Sequence, residues 1–334
     1  MTSNNVIAGE TIHPDDVTIG VDIGGTTTSV GVVDSNGKRL YMTRFPTRGQ
    51  ESAQQFLPRL AQVIRNLLNE LHPVRQLQGI GIASPAANWR AGTVEHPANL
   101  NWGTVNIVEM MRSFFPVPVV VANDCDAAVF GEMQYGAAKG MKNFIMISMG
   151  TGLGGGIVID GKLFQGEHGA AAEFGHITID AEGRVCGCGR RGCVETYVSA
   201  SGLRRTVAEL LARQTDSSAL RGMSFDEITA EEVYNLARSD DRIATRAFAL
   251  TGEYLGRMLS NIVATLDPQA VVLYGGLVNA GDLLAEPTRR SFEENALHRY
   301  RGQVDILISA LNNGEAAILG ASSLVRETFV AKAV

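Results

Sequence analysis

Between Glu173 and Glu195 the chain reads EFGHITIDAEGRVCGCGRRGCVE, which holds three of its four cysteines, Cys186, Cys188 and Cys193, with His176 ten positions ahead of the first. One imidazole and three thiols on a short loop match a structural Zn2+ site, tetrahedral with Cys3His ligation. Gly187, Gly189 and Gly192 let the backbone fold tightly enough to bring the sulfurs to one point. The competing reading is three cysteines with no metal. Free cysteines, however, usually sit singly in apolar runs, and these lie among glycine and arginine. A disulfide leaves one thiol over, and nothing marks the chain as secreted. Glu173 and Glu195 flank the loop. Carboxylates accept hydrogen bonds from hydroxyls, so two of them beside a rigid loop suit a polyhydroxy ligand. Zinc is then scaffolding, with no open position for chemistry.

Four further places carry chemistry. In VTIGVDIGGTTTSVGVVDSNGKRL (17–40) a strand ends at Asp22, and Gly24, Gly25, Thr26 and Thr27 form a turn before a second strand. Small residues there let backbone N–H groups and hydroxyls face an anion such as phosphate; a plain hairpin is the alternative. NFIMISMGTGLGGGIVIDGKLF (143–164) repeats this grammar of apolar strand, glycine-threonine turn and apolar strand. Two hairpins of one design suggest a duplicated domain, with a phosphate loop on each side of a cleft. The run Gly150 to Gly155 also spells GxGxxG, but that fingerprint requires a helix directly after it. Ile157-Val158-Ile159 is strand-forming, so the dinucleotide reading fails on context. PVPVVVANDCDAAVFGEMQYG (116–136) is a strand running into Asn123 and Asp124 and then a helix of small residues. An acid at the carboxyl end of a parallel strand lies where α/β active sites form; Asp124 could also cap the helix, but the AND triplet after so apolar a strand favours the functional reading. In TLDPQAVVLYGGLVNAG (265–281), Gly275-Gly276 is a third turn after an apolar strand, a seat for adenosine or its phosphates.

The elements that position these residues alternate strand and helix. Helical spacing covers 53–71, with Phe56, Leu60, Ile64, Leu67 and Leu71 on one face. Further helices are expected at 199–213, 230–238, 241–266 and 315–329, and strands at 79–84 and 305–310. Residues 85–102, rich in asparagine and aromatics, read as an irregular loop suited to sugar or as a solvated connector. The chain has 334 residues, 45% hydrophobic and 19% charged, enough for two cored domains. A net charge of −6 and a pI near 5.6 argue against nucleic-acid or membrane-surface binding. Neither a secretory signal nor a membrane span is read, which makes the cytoplasm the expected location.

With these motifs laid out, the chain resembles the ROK family of sugar kinases and sugar-responsive repressors. DIGGTTT, AND at 122–124, SMGTGLGGG, EFGH…CGCGRRGCVE and LYGGLVNAG carry the resemblance over roughly residues 18–320. Within the family the bacterial glucokinases are nearest, through EHPANLNW. The resemblance implies an α/β, actin-like (ribonuclease H-like) ATPase fold with two α/β domains around a central cleft. The domains would be 17–133 with 315–334, and 134–314 with the zinc loop, after a flexible tail at 1–16. It implies an ATP-dependent hexokinase acting on glucose, with Asp124 as general base and Asn99, Asn123, Glu173, His176 and Glu195 on the sugar. Asp22 would place Mg2+ through water, and the turns at Gly24–Thr27 and Thr151-Gly152 would hold the triphosphate of ATP. His176 could bind zinc through one ring nitrogen and sugar through the other.

Family habit implies a homodimer or homotetramer whose ligands are sugar and ATP rather than nucleic acid. The family loop that often reads as a Pro-Gly pair ahead of the sugar contacts is here Ala83-Ser84-Pro85-Ala86-Ala87, and the lost glycine bears on the hexose chosen. Kinases for N-acetylmannosamine, fructose or allose share every motif above. Repressors of the family carry an added N-terminal helix-turn-helix and often lose the catalytic aspartate. A catalytically silent sugar sensor with an intact metal loop is the third possibility.

Overall fold

A computed structural model describes residues 16–71, 75–311 and 314–330. The expected tail lies outside these residues except for Asp16, which is buried. The chain divides after Gly140 and again after Ser309, so that residues from Ala310 onward rejoin the first unit and Met141–Ser309 form the second. The expected boundaries, 133/134 and 314/315, fall a few residues to either side.

The strands of the main sheets are β1 Val17–Ile23, β2 Thr27–Asp34, β3 Arg39–Pro46, β4 Leu77–Ala83 and β5 Val119–Ala122 in the first unit. The second unit has β6 Phe144–Met149, β7 Leu153–Ile159, β8 Lys162–Leu163, β9 Ala270–Tyr274 and β10 Asp305–Ile308. The α-helices are α1 Ala53–Asn69, α2 Ile107–Phe114, α3 Asp124–Tyr135, α4 Ala200–Arg213, α5 Ala230–Ala237, α6 Arg242–Leu266, α7 Asp282–Asn295 and α8 Glu315–Val325.

The first sheet has the order β3-β2-β1-β4-β5 and the second β8-β7-β6-β9-β10. In each, an antiparallel meander of three strands is extended by two strands parallel to its first. The repeated hairpin grammar thus corresponds to a repeated sheet. Leu153, directly after the second glycine turn, opens a strand rather than a helix, as expected for a chain that is not a Rossmann fold.

Side-chain size decides how the helices seat. Phe56, Leu60, Ile64 and Leu67 bury the expected face of α1, with Leu71 buried just beyond its end. Helix α8 is buried on every side and its backbone lies directly on the sheet. A Cβ at Gly20 in β1 would stand 2.0 Å from the Ile318 carbonyl oxygen, and one at Gly81 in β4 would stand 1.8 Å from that of Ala321. Against α3 the approach is as close: a Cβ at Gly320 would meet the Ala127 carbonyl oxygen at 1.6 Å. In the second unit Gly256 of α6 lets α7 in the same way, with the Thr288 carbonyl oxygen 2.5 Å from where a Cβ would be.

The loop expected at 85–102 is more ordered than its composition suggests. Ala87–Asn88, Thr93–Glu95 and Thr104–Val105 pair as a small antiparallel sheet. Trp102 is core: its ring centroid lies 5.3 Å from that of Phe56, and its Nε1–H donates to the Glu51 carbonyl at 3.1 Å. Among the described residues no helix is long and apolar enough to cross a membrane.

Candidate functional site

In the first unit the parallel register sets Asp22 beside Ala83, and Ala83 beside Ala122, so Asp22 and the Asn123-Asp124 pair leave neighbouring strands at one level. Asn123 is the N-cap of α3, and its Oδ1 accepts the Cys125 N–H at 2.9 Å. Asp124 Oδ1 accepts the same N–H at 2.9 Å. Capping is therefore supplied by Asn123, which frees most of the Asp124 carboxyl for another task. Burial pushes Asp124 above the ordinary carboxylate range, with the Cys125 N–H opposing. Asp22 is pushed up to about 6, by burial first and then by the charge of Asp124, with Arg44 opposing. Two mutually repelling, partly desolvated carboxylates are stabilised by a cation, so Asp22 suits the Mg2+ expected there.

The Asp22 shift has a measurable consequence. Its folded value of about 6 exceeds the ordinary ~3.9 of an unfolded chain. Below about pH 4 both states are protonated. As pH rises towards 6, the folded state gives up its proton at greater cost and stability falls. In metal-free buffer Asp22→Asn is therefore more stable than wild type at pH 7–8 by about 1–3 kcal/mol, a gap that closes near pH 4. Denaturant unfolding across that range checks it; a gap independent of pH refutes the assignment.

The first glycine turn is held from below by a residue that carries no motif. Thr47 Oγ1 donates to the Gly24 carbonyl at 2.7 Å and lies 2.8 Å from the Thr28 hydroxyl, while Thr47 N–H donates to Thr26 at 2.9 Å. Thr26 and Thr27 remain exposed. Asn99 lies against the same turn: a Cβ at Gly25 would stand 2.6 Å from Asn99 Cβ. Ala86, in the loop after β4, adopts φ +53°, a left-handed conformation that favours glycine.

In the second unit His176, Cys186, Cys188 and Cys193 converge, with their ligand atoms all within 4.8 Å of one another. Cys188 Sγ and Cys193 Sγ are 3.7 Å apart, and His176 Nδ1 is 3.8 Å from Cys186 Sγ. A tetrahedron with Zn–S bonds of ~2.3 Å has edges of about 3.8 Å, so the donor set fits Zn2+. Gly192, at φ +68°, is required by the Asp180 carbonyl oxygen, 1.5 Å from where a Cβ would lie. Burial pushes the Cys193 thiol up to about 12, whereas the Arg190 backbone N–H pulls Cys188 down.

Glu173 is exposed and precedes the short turn Phe174–His176. Glu195 Oε2 accepts the Leu153 N–H at 3.0 Å. Gly152 leaves room for that carboxylate, since a Cβ there would lie 2.5 Å from Oε2. Cys125 belongs to the first unit and takes no part in the cluster.

A cavity of about 630 Å³ in this unit joins Thr151 to Gly276, and α4 and α5 line it through Ala200, Glu231, Tyr234 and Asn235, with Phe248 from α6. Its size and mixed lining suit a nucleoside. Gly152 and Gly275 are not in its wall. Gly275, at φ +103°, is required because the Met149 carbonyl oxygen lies 2.4 Å from where a Cβ would be. The α5 residues escaped sequence reading because tertiary packing alone brings them to the turns.

Residues 18–328 match the ROK family. A glucokinase of Halalkalibacterium halodurans is 33% identical over 315 residues, covering 92% of this chain and 94% of that one. The xylose repressor of Bacillus subtilis is 32% identical over 254 residues, 76% of this chain and 62% of the repressor. Among solved structures, a ROK family glucokinase from Streptomyces griseus in complex with glucose and AMPPNP superposes with a TM-score of 0.79 at 32% identity, covering 93% of this chain and 99% of that one. The architecture is the actin-like ATPase fold that the motifs implied. On this match the chain is a member of the ROK family.

Proposed function

We propose that this protein is an ATP-dependent sugar kinase that phosphorylates glucose at its 6-hydroxyl. The observation that carries the reading is Asp124, a half-buried carboxylate not needed as a helix cap, level with Asp22 at the ends of neighbouring strands. Similarity to proteins named glucokinase supports the sugar and the nucleotide. Phosphoryl transfer proceeds through a loose transition state, so the protein mainly aligns reactants and neutralises charge. Asp124 orients the attacking hydroxyl and takes its proton late, as the bond to phosphorus forms. Asn99, Asn123, Glu173, His176 and Glu195 hold the remaining hydroxyls. The turns at Gly24–Thr27 and Thr151-Gly152 hold the triphosphate, and the cavity beside Gly276 takes the adenosine. Mg2+, placed through Asp22, supplies charge neutralisation on the phosphates. Zn2+ held by His176, Cys186, Cys188 and Cys193 keeps the loop in shape. The protein works in the cytoplasm as a dimer or tetramer.

A sugar-responsive repressor is the second reading, favoured by the match to the xylose repressor. ADP release with Mg-ATP, measured against glucose, mannose, fructose, allose, N-acetylglucosamine and N-acetylmannosamine, separates the two. Preference for glucose is the expected result. Preference for another sugar corrects the substrate, and silence from folded protein overturns the kinase reading.

A further inference from the structure

Beyond Cys193 the chain does not turn away from the glycine turn Gly150–Gly152 but grips it at three points. The Leu153 N–H donates to Glu195 Oε2 at 3.0 Å, the Ala200 N–H donates to the Gly150 carbonyl at 2.9 Å, and the Ser201 hydroxyl donates to the Thr151 carbonyl at 2.9 Å. The gripping segment, Cys193–Ser201, is itself stiff. Thr196 Oγ1 donates to the Cys193 carbonyl at 2.8 Å, and Ser199 Oγ to the Glu195 carbonyl at 2.8 Å. Tyr197 is held between the Arg184 guanidinium, 4.4 Å from its ring centroid, and the Tyr254 ring at 4.1 Å. Its first residue is a cluster ligand, and Glu195 Oε1 lies 3.9 Å from the sulfur of another, Cys186.

Peptide planarity turns this grip into aim. A trans peptide carries its C=O and the following N–H on opposite sides. Tying down the Gly150 carbonyl therefore fixes the direction of the Thr151 N–H, and tying down the Thr151 carbonyl fixes that of the Gly152 N–H. Both N–H groups are turned away from the segment that holds the carbonyls. Successive N–H groups aimed to one side form an anion nest, and the capture of Leu153 N–H by Glu195 marks where that nest ends.

We propose that Ser201 and Glu195 are positioning residues for the turn, and that Cys193–Ser201 links the Cys3His metal site to the nucleotide so that each strengthens binding of the other. This rests on the reading of Gly150–Gly152 as a holder of the triphosphate. Coupling between two binding events is reciprocal, so it can be read from the metal side without any turnover. In the full-length zinc-loaded protein, saturating AMPPNP slows zinc extraction by a chromophoric chelator about three- to tenfold. Ser201→Ala loses most of that protection and raises the KM for ATP about three- to tenfold, the range of one hydrogen bond. It leaves the zinc content, the KM for sugar and kcat within twofold of wild type, and Ser201→Thr, which keeps the hydroxyl, restores both effects.

Unchanged zinc extraction in wild type with AMPPNP demonstrably bound overturns the linkage, as does a Ser201→Ala protein that behaves like wild type. An equal rise in KM for both substrates makes Ser201 merely structural and overturns its positioning role. Failure of the wild type to bind AMPPNP strikes the nucleotide-site reading first and removes this proposal with it.

Discussion

Asp124→Asn turns over about a thousandfold more slowly than wild type, within the 10²–10⁴ typical of a lost general base, while sugar affinity changes little. The asymmetry follows from the local geometry. Asparagine keeps an oxygen for the Cys125 N–H, and Asn123 still caps α3, so the helix start survives. What disappears is a proton acceptor. The same change removes the charge that helps hold Asp22 up at about 6, so Asp22 in the variant titrates closer to an ordinary carboxylate. An ADP-coupled assay and a sugar titration monitored by tryptophan fluorescence measure both parts. Turnover near wild type would remove the base assignment, and parallel loss of sugar binding would make Asp124 a substrate ligand instead.

Cys188→Ser is expected to abolish zinc binding and cost several kcal/mol of stability, because metal affinity in such sites is folding free energy. Cys188 is the exposed member of the cluster, so exchanging sulfur for oxygen removes almost no packing. A loss of about 3 kcal/mol lowers the melting temperature by roughly 6–12 °C for a unit of this size. Because the cluster lies wholly within Met141–Ser309, the transition of that unit should move and that of the other should not. Calorimetry with metal analysis checks this. Chelator treatment of wild type should reproduce the variant and leave the variant itself unchanged. Purified wild type free of zinc would refute the site.

Local pattern makes much of this legible in the sequence alone. The apolar hairpins flanking Gly24–Thr27 and Gly150–Gly152, the helical face of α1 and the cysteine spacing are all written in runs of adjacent residues. Other features depend on packing between distant segments and left no such trace. Thr47 looks like any strand-end threonine until its hydroxyl is found on the Gly24 carbonyl. Tyr234 and Asn235 belong to an ordinary amphipathic helix, and only its placement makes them cavity wall. The composition of 85–102 suggested a sugar-binding loop or a solvated connector, yet its Trp102 is a core residue. Glu195 was read as a ligand for sugar alone, whereas one of its oxygens is committed to the Leu153 backbone.

The seat of α8 on Gly20 and Gly81 bears on how the protein is made. Residues Met141–Ser309 are one uninterrupted stretch, and that unit can close while the ribosome still holds the rest of the chain. The other unit cannot. Its β1 and β4 are translated early, but the helix that covers their glycines emerges only after the whole of the second unit has been made. One face of an apolar sheet must therefore stay uncovered while all of Met141–Ser309 is synthesised, the condition under which nascent chains recruit chaperones. A truncation that spares every residue of the second unit but removes α8 would leave that first sheet permanently open.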